Sequence, residues 1–398
     1  MKTSRRTILA GILAGGFAMT GAGCGTGSSG GAAASSGGKT VVRLAWWGND
    51  VRNPLTAKAV AEFEKENPDI TVQQEPGSWS SYWDKLATQF AGGSAPDVIQ
   101  MDESYLTQYS NNGTLLDLKT AGLDTSNFSS ATANMGTTSK GTFAIVAGIN
   151  APAAMANPKV FKAAGVAIPD DKTWTWSDMA KAAQKITTNS PSGTFGTQNI
   201  ASVDFMLRLW LRQHGADEYS GTKPGFTAAQ LSPFFAEALA LQNSKAAPSA
   251  SLTSQDMTTS QDQSMAATNK VALSYWWSNQ VTSLDKDTGT TLQFLMPPTV
   301  TGSAKDVQLY YKASMLWSVN KNSQVQAAAV KLVDFLVNSP TCGKILGTER
   351  GIPANSKVLA AVTPQMTATD KQVSGYLQGI APDLGTPIGL TPPGSSNA

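Results

Sequence analysis

Residues 91–109 read AGGSAPDVIQMDESYLTQY, and the order of events within them decides the fold. Just upstream, residues 79–90 carry Trp79, Trp83, Leu86 and Phe90 at the period of an amphipathic helix. Gly92 and Gly93 end that helix, because glycine enters the left-handed cap conformation without a Cβ clash. Pro96 blocks a helical restart, and Val98-Ile99-Gln100-Met101 is short and apolar enough for a buried strand. Asp102 is then placed to cap a new helix through Leu106 and Tyr109. Asp102, Glu103 and Tyr105 therefore stand at the carboxyl end of an inner strand, where ligands bind in open α/β sheets.

Outward from this stretch, strands and helices alternate. Residues 41–46 read as a first strand ending in Trp46-Trp47-Gly48-Asn49-Asp50, residues 54–66 as a helix stopped by Asn67-Pro68, and residues 70–74 as a second strand. A β-α-β-α-β order predicts an α/β fold with a parallel sheet covered on both faces. Further strands are expected at 143–148, 270–275, 292–296 and 314–319. Helices are expected at 158–165, 176–187, 202–214, 228–241, 255–267 and 323–337, the last with Val325, Ala328, Leu332 and Leu336 as its apolar stripe.

The run from Trp79 to Val98 has the form W-x3-W-D-K-L-x-T-Q-x-A-G-G-x-A-P-D-V. It is followed by L-x2-Y-x3-G-x-L-x-D-L from Leu106 to Leu118. Together they resemble the solute-binding lipoproteins of bacterial ABC importers, most closely the large sugar-binding, maltose-binding-like family 1. The resemblance implies a periplasmic-binding-protein type II fold, two α/β lobes joined by a multi-strand hinge. It implies a first lobe of residues 40–148 and 314–345 and a second of 149–313 and 346–385. Crossings fall near Gly148-Ile149-Asn150, at 314–320 and near the Gly351–Asn355 loop. It also implies a monomer without a cofactor, an ABC permease as partner, and site positions for Trp79, Ser314 and Arg350.

The start of the chain supplies an address. Lys2, Arg5 and Arg6 precede an apolar run at 8–19 and small residues up to Cys24, the layout of a signal peptide over residues 1–23. Cys24 resembles the acylated cysteine of a lipobox, with Gly21 where a leucine is usual. Residues 4–9 fit either a Sec or a twin-arginine signal. The apolar run is shorter than a bilayer span requires. The expectation is export and lipid anchoring to the outer face of the cell membrane. Residues 24–39 are a Gly/Ser-rich tether, and Lys39-Thr40 lacks the glycine spacing of a phosphate-binding loop. The Pro/Gly-rich end from 382, and 386–398 above all, is expected to be a poorly packed, disordered tail.

Composition narrows the function. Without Lys2, Arg5 and Arg6 the 30 basic residues fall to 27, against 28 acidic, so the chain carries no nucleic-acid footprint. Cys342 is the one cysteine besides Cys24, which leaves no intrachain disulfide for a mature chain tethered through Cys24.

Sugars present flat C–H faces and paired hydroxyls. Indole rings match the first, and carboxylates, amides and arginine match the second. Such groups cluster at strand ends: Trp46, Trp47, Asn49 and Asp50; Asp102, Glu103 and Tyr105; Gly148 and Asn150; Trp276, Trp277 and Asn279. Each also has a structural reading. Trp46 is either core or cleft, and in each Trp pair a pleated strand turns only one ring inward. Asp102 is a cap or a ligand group, Asp50 and Glu103 are ligand groups or solvated charges, and Arg350 is a ligand group or the partner of Glu349 or Asp383. Trp83, Trp174, Trp176 and Trp210 read as structural.

Competing functions rank lower. A secreted glycoside hydrolase needs two carboxylates facing each other across a cleft, and adjacent Asp102 and Glu103 point apart. A triad hydrolase lacks a G-x-S-x-G elbow, and His214, the sole histidine, sits within an apolar helical pattern. Tyr310-Tyr311 hints at a ferric-ion binder, but no metal-ligand spacing accompanies it. An aromatic cage for an amine is a further alternative. The chain is therefore expected to bind without catalysis.

Overall fold

A computed structural model describes residues 35–36 and 38–392 of the chain. The expected signal peptide, Cys24 and most of the tether lie outside the described residues. The tether's end is not wholly free, because Ser35–Ser36 pairs antiparallel with Lys39 and Thr40.

The helix over residues 79–90 forms as Trp79–Ala91, with Tyr82, Trp83 and Leu86 buried. Gly92 follows it and Gly93 takes a φ of +67°, the left-handed conformation expected at its end. Val98–Met101 is a fully buried strand, and the Asp102 carboxylate accepts a hydrogen bond from the Ser104 amide at 3.0 Å, capping Glu103–Asn111.

Lys39–Trp47 pairs parallel with both Ile70–Gly77 and Val98–Met101, as the alternating order predicts. The sheet then changes character. Lys312–Val319 inserts between Val98–Met101 and Ile145–Asn150 and runs antiparallel to both, and Ile352–Pro353 adds antiparallel to Ile145–Asn150. Period-two alternation divides the sheet's faces. Val42, Leu44 and Trp46 pack with Phe63, Trp317 and Phe335 on one side, while Ala45 and Trp47 pack with Tyr82, Trp83 and Leu86 on the other.

A second, four-stranded sheet has the order Gln293–Leu295, Pro152–Ala156, Val271–Trp277, Phe195–Thr197. Ala151 alone separates the first-sheet strand Ile145–Asn150 from the second-sheet strand Pro152–Ala156. Its amide donates to Ser278 Oγ at 3.2 Å and its carbonyl accepts from the Ser278 amide at 2.9 Å, which fixes the crossing against the second sheet.

Three features depart from expectation. The resemblance implies that residues 346–362 belong to the second lobe, yet Ile352–Pro353 joins the first sheet and Ser356–Val362 packs on Pro340–Leu346. Their apolar residues Ile352, Val358 and Val362 are buried there. The return to the second lobe lies between 362 and 368, because Ala368–Ile380 stacks Tyr376 on Phe294 at 4.7 Å and Tyr376 donates to the Pro152 carbonyl at 2.6 Å. The helix expected over 255–267 is displaced to Ala250–Met257, with a short 3-10 turn at Gln261–Gln263. Finally, the end of the chain is packed as far as residue 392: Gly385 donates to the Leu309 carbonyl at 2.8 Å, and Thr107 Oγ1 donates to the Thr391 carbonyl at 3.0 Å.

Candidate functional site

A cleft of about 400 Å3 lies between the lobes. The first lobe contributes Asp102, Glu103 and Ser104 from the strand-to-helix junction at the end of Val98–Met101. The second contributes Asp204, Phe205 and Arg208 from helix Asp204–Gln213, together with Glu218, Tyr219 and Trp277. Lys312 enters from the start of the strand that returns to the first lobe, Tyr310 from the segment just before it, and Ile388 and Thr391 from the last described residues.

Trp277 ends the strand Val271–Trp277, and its amide donates to Gln280 Oε1 at 3.1 Å. Phe205 meets the indole edge-on with ring centroids 5.2 Å apart, and Lys312 Nζ sits 4.9 Å from the indole centroid. These contacts hold the ring in one orientation. Lys312 Nζ also lies 3.4 Å from Glu103 Oε1. Burial opposes the ammonium charge, but the carboxylates of Glu103 and Asp102 outweigh it and raise the Lys312 pKa. Burial raises the Glu103 pKa, and Lys312 only partly reverses this. Arg208 bridges Asp217 at 2.9 Å and Glu218 at 3.6 Å, with its guanidinium 5.4 Å from the Tyr310 ring centroid. Glu218 is raised by burial against the pull of Arg208, and burial raises the Tyr310 phenol.

Four carboxylates thus line the cleft against two cations. Glu103 is paired to Lys312, and Glu218 shares Arg208 with Asp217. Asp102 is engaged by Ser104, whose hydroxyl donates to it at 2.6 Å, and Asp204 accepts from the Phe205 amide at 2.7 Å. The unpaired negative charge comes from both lobes.

Of the residues expected at the site, Asp102, Glu103 and Trp277 line this cavity. Asp102 is both cap and cleft wall. Trp46, by contrast, is only 1% exposed, and its Nε1 donates to Asn53 Oδ1 at 2.9 Å inside the core. Trp47 is buried too, because the Trp79–Ala91 helix lays Tyr82 and Trp83 against it and Trp79 meets it edge-on at 5.0 Å. Tyr105 stacks on Trp83 at 3.7 Å, which joins it to the same aromatic group, while Trp79 remains 48% exposed at its rim.

The other expected residues lie outside the lining of this cavity. Asn49 Oδ1 accepts from the amides of Val51 and Arg52 at the start of Arg52–Glu66, and Asp50 and Asn279 are exposed. Gly148 is a close-approach position: a Cβ there would meet the Arg350 carbonyl oxygen at 2.3 Å. Asn150 is buried beside Lys312 in the strand pairing. Ser314 Oγ donates to the Gly148 carbonyl at 2.7 Å and also contacts the Arg350 carbonyl, a clamp across the hinge strands. Trp276, the other ring of its pair, is half-buried against the core. Arg350 lies inside the first lobe: its Nε donates to Gln100 Oε1 at 3.0 Å and its Nη2 to Thr56 Oγ1 at 2.9 Å. Burial lowers its pKa to about 10, with Glu349 pulling the other way.

Sequence reasoning misses Asp204, Arg208, Glu218, Tyr219 and Lys312. One local signal finds two of them. Asp204 and Arg208 are four residues apart, on one face of a helix whose first eight residues are otherwise apolar.

Residues 48–340 match the family model of bacterial extracellular solute-binding proteins. The chain belongs to this family. An extracellular solute-binding protein of family 1 from Alicyclobacillus acidocaldarius superposes with a TM-score of 0.74 at 28% identity, over 91% of this chain and 90% of that one. A periplasmic oligogalacturonide binding protein from Yersinia enterocolitica gives a TM-score of 0.73 at 23% identity, over 89% and 88% of the two chains. An uncharacterized lipoprotein in the oleD 5′ region of Streptomyces antibioticus is 32% identical over 152 residues. That is 36% of this chain and 32% of the relative, so the match spans about a third of the relative's length. The solute-binding protein therefore has the type II fold that its resemblance implied. Among the described residues no helix is long and apolar enough to cross a membrane.

Proposed function

We propose that this solute-binding protein captures a mono- or oligosaccharide, neutral or basic, and delivers it to an ABC permease from a lipid anchor at Cys24. The observation that carries the reading is the cleft itself. Trp277 offers aromatic surface, and Asp102 with Asp204 offers hydrogen-bond acceptors from opposite lobes. A ligand contacting both lobes favours the hinge-closed state by the difference between its contacts there and in the open state. The carboxylate surplus disfavours polyanions, so a galacturonide of the kind named for the Yersinia neighbour is a poor fit for this cleft. A quaternary amine is also disfavoured, because the Lys312 ammonium already sits against the Trp277 indole.

Calorimetry of the purified protein against neutral malto-oligosaccharides, amino sugars, oligogalacturonides and choline tests the proposal. Saturable binding of a neutral or basic saccharide, without galacturonide binding, supports it; binding only of choline or galacturonides rejects it. The carboxyls of Glu103 and Glu218 are both raised by burial, which keeps a glycosidase in view. Steady release of reducing sugar from the bound saccharide would replace capture with hydrolysis.

A further inference from the structure

The last described residues reach from one lobe to the other. On the second lobe, Gly385 donates to the Leu309 carbonyl, and Arg212 Nη2 donates to the carbonyl of Thr386 and, at 3.2 Å, to its hydroxyl. Arg212 is itself set by an ion pair to Asp217 at 3.0 Å and by donation to the Gln308 carbonyl at 3.2 Å. Lys172 anchors the approach through Asp383 at 3.0 Å. On the first lobe, Thr107 Oγ1 in helix Glu103–Asn111 donates to the Thr391 carbonyl. Between these anchors Leu384, Ile388 and Leu390 pack against the apolar core, and Ile388 and Thr391 face the cleft.

We propose that residues 384–392 are a strap across the cleft, which walls one side of the ligand cavity and limits how far the lobes part. The geometry sets the limit. Four residues lie between Thr386 and Thr391, so five Cα-to-Cα steps join them, and a fully extended chain advances at most about 3.5 Å per step. The two anchors therefore stay within about 17 Å while both hold. Pro387 and Pro392 stiffen the segment by fixing their φ angles. The second-lobe end is the firmer, with an arginine donating twice to one residue and an ion pair behind it. The first-lobe end rests on a single neutral hydrogen bond and apolar contacts, so it is the end that gives way first when the lobes are driven beyond that limit.

The inference rests on the chain's own contacts and not on the identity of the solute. Its test is a distance between lobes, read without ligand. Lys58 on helix Arg52–Glu66 and Lys185 on helix Trp176–Asn189 are exposed. Cysteines placed there in a Cys24→Ser background carry spin labels, with buried Cys342 left in place. Three variants are compared with the full-length chain: a chain ending at Asp383, Thr107→Val and Ile388→Ser, each checked for a cooperative thermal transition. The expected result is a broader distance distribution displaced from that of the intact chain, most in the shortened chain and in the same sense in Thr107→Val. If the shortened chain fails to fold, the two point variants decide. Distributions in the folded variants that superimpose on that of the intact chain overturn the proposal.

Discussion

Lys312 and Glu103 meet in the cleft with Nζ 3.4 Å from Oε1, although one begins the strand returning from the second lobe and the other opens a helix of the first. The same ammonium lies against Trp277 of the second lobe. One cation thus joins a carboxylate and an indole that line the cleft.

Lys312→Gln leaves Glu103 buried without its cation. The folded-state pKa of Glu103, already raised by burial, then rises further above its unfolded value. A group raised in this way contributes stability that is present below its unfolded pKa and is lost as pH climbs through its folded pKa. The pair keeps some contact with solvent, at 31% and 15% side-chain exposure, so the loss is discounted to about 1–2 kcal/mol. Thermal melts across pH are expected to show the variant trailing the parent most at pH 8, with the gap narrowing toward pH 5. A gap independent of pH would remove Glu103 as its source.

Trp277 and Trp46 separate binding from folding. Trp277→Ala is expected to weaken saccharide affinity roughly tenfold or more, the loss typical of a central aromatic contact, with a modest change in stability. Trp46→Phe removes a buried ring and the hydrogen bond to Asn53, and is expected to lower stability by about 1–3 kcal/mol while affinity is unchanged. Parallel titrations and urea melts check both, and unaltered affinity in Trp277→Ala would take that ring out of the site.

Gly148→Ala tests the hinge. A methyl group there meets the Arg350 carbonyl oxygen at 2.3 Å and the Gly351 carbonyl carbon at 2.8 Å, both backbone atoms with no rotamer to yield. Overpacking of this kind costs roughly 1–3 kcal/mol or displaces the neighbouring strand. Chemical denaturation is expected to show that loss, and a midpoint equal to the parent's would mean that the Gly351–Asn355 loop yields freely.

The stretch at 91–109 was legible because each of its signals is local. A helix period, a glycine that takes positive φ, a short apolar strand and an aspartate cap all act within a few residues, and the structure reproduces each. The parallel start of the first sheet followed from the same alternation. The parity rule also held for the 276–277 pair, where the pleat turns Trp277 to the cleft. It could not tell that Trp47 would be covered, because the cover is Tyr82 and Trp83 on a helix more than thirty residues away.

Sequence by itself determined the α/β alternation, the strand-to-helix junction at Asp102 and the presence of aromatic and acidic groups at strand ends. These follow from period, capping and composition, which are properties of neighbours along the chain. Tertiary structure alone decided that Lys312 pairs with Glu103, that Arg350 braces the interior of the first lobe, and that Thr391 reaches Thr107. Those partners lie far apart along the chain, and only the folding of the chain into sheets with their covering helices brings them within hydrogen-bond range.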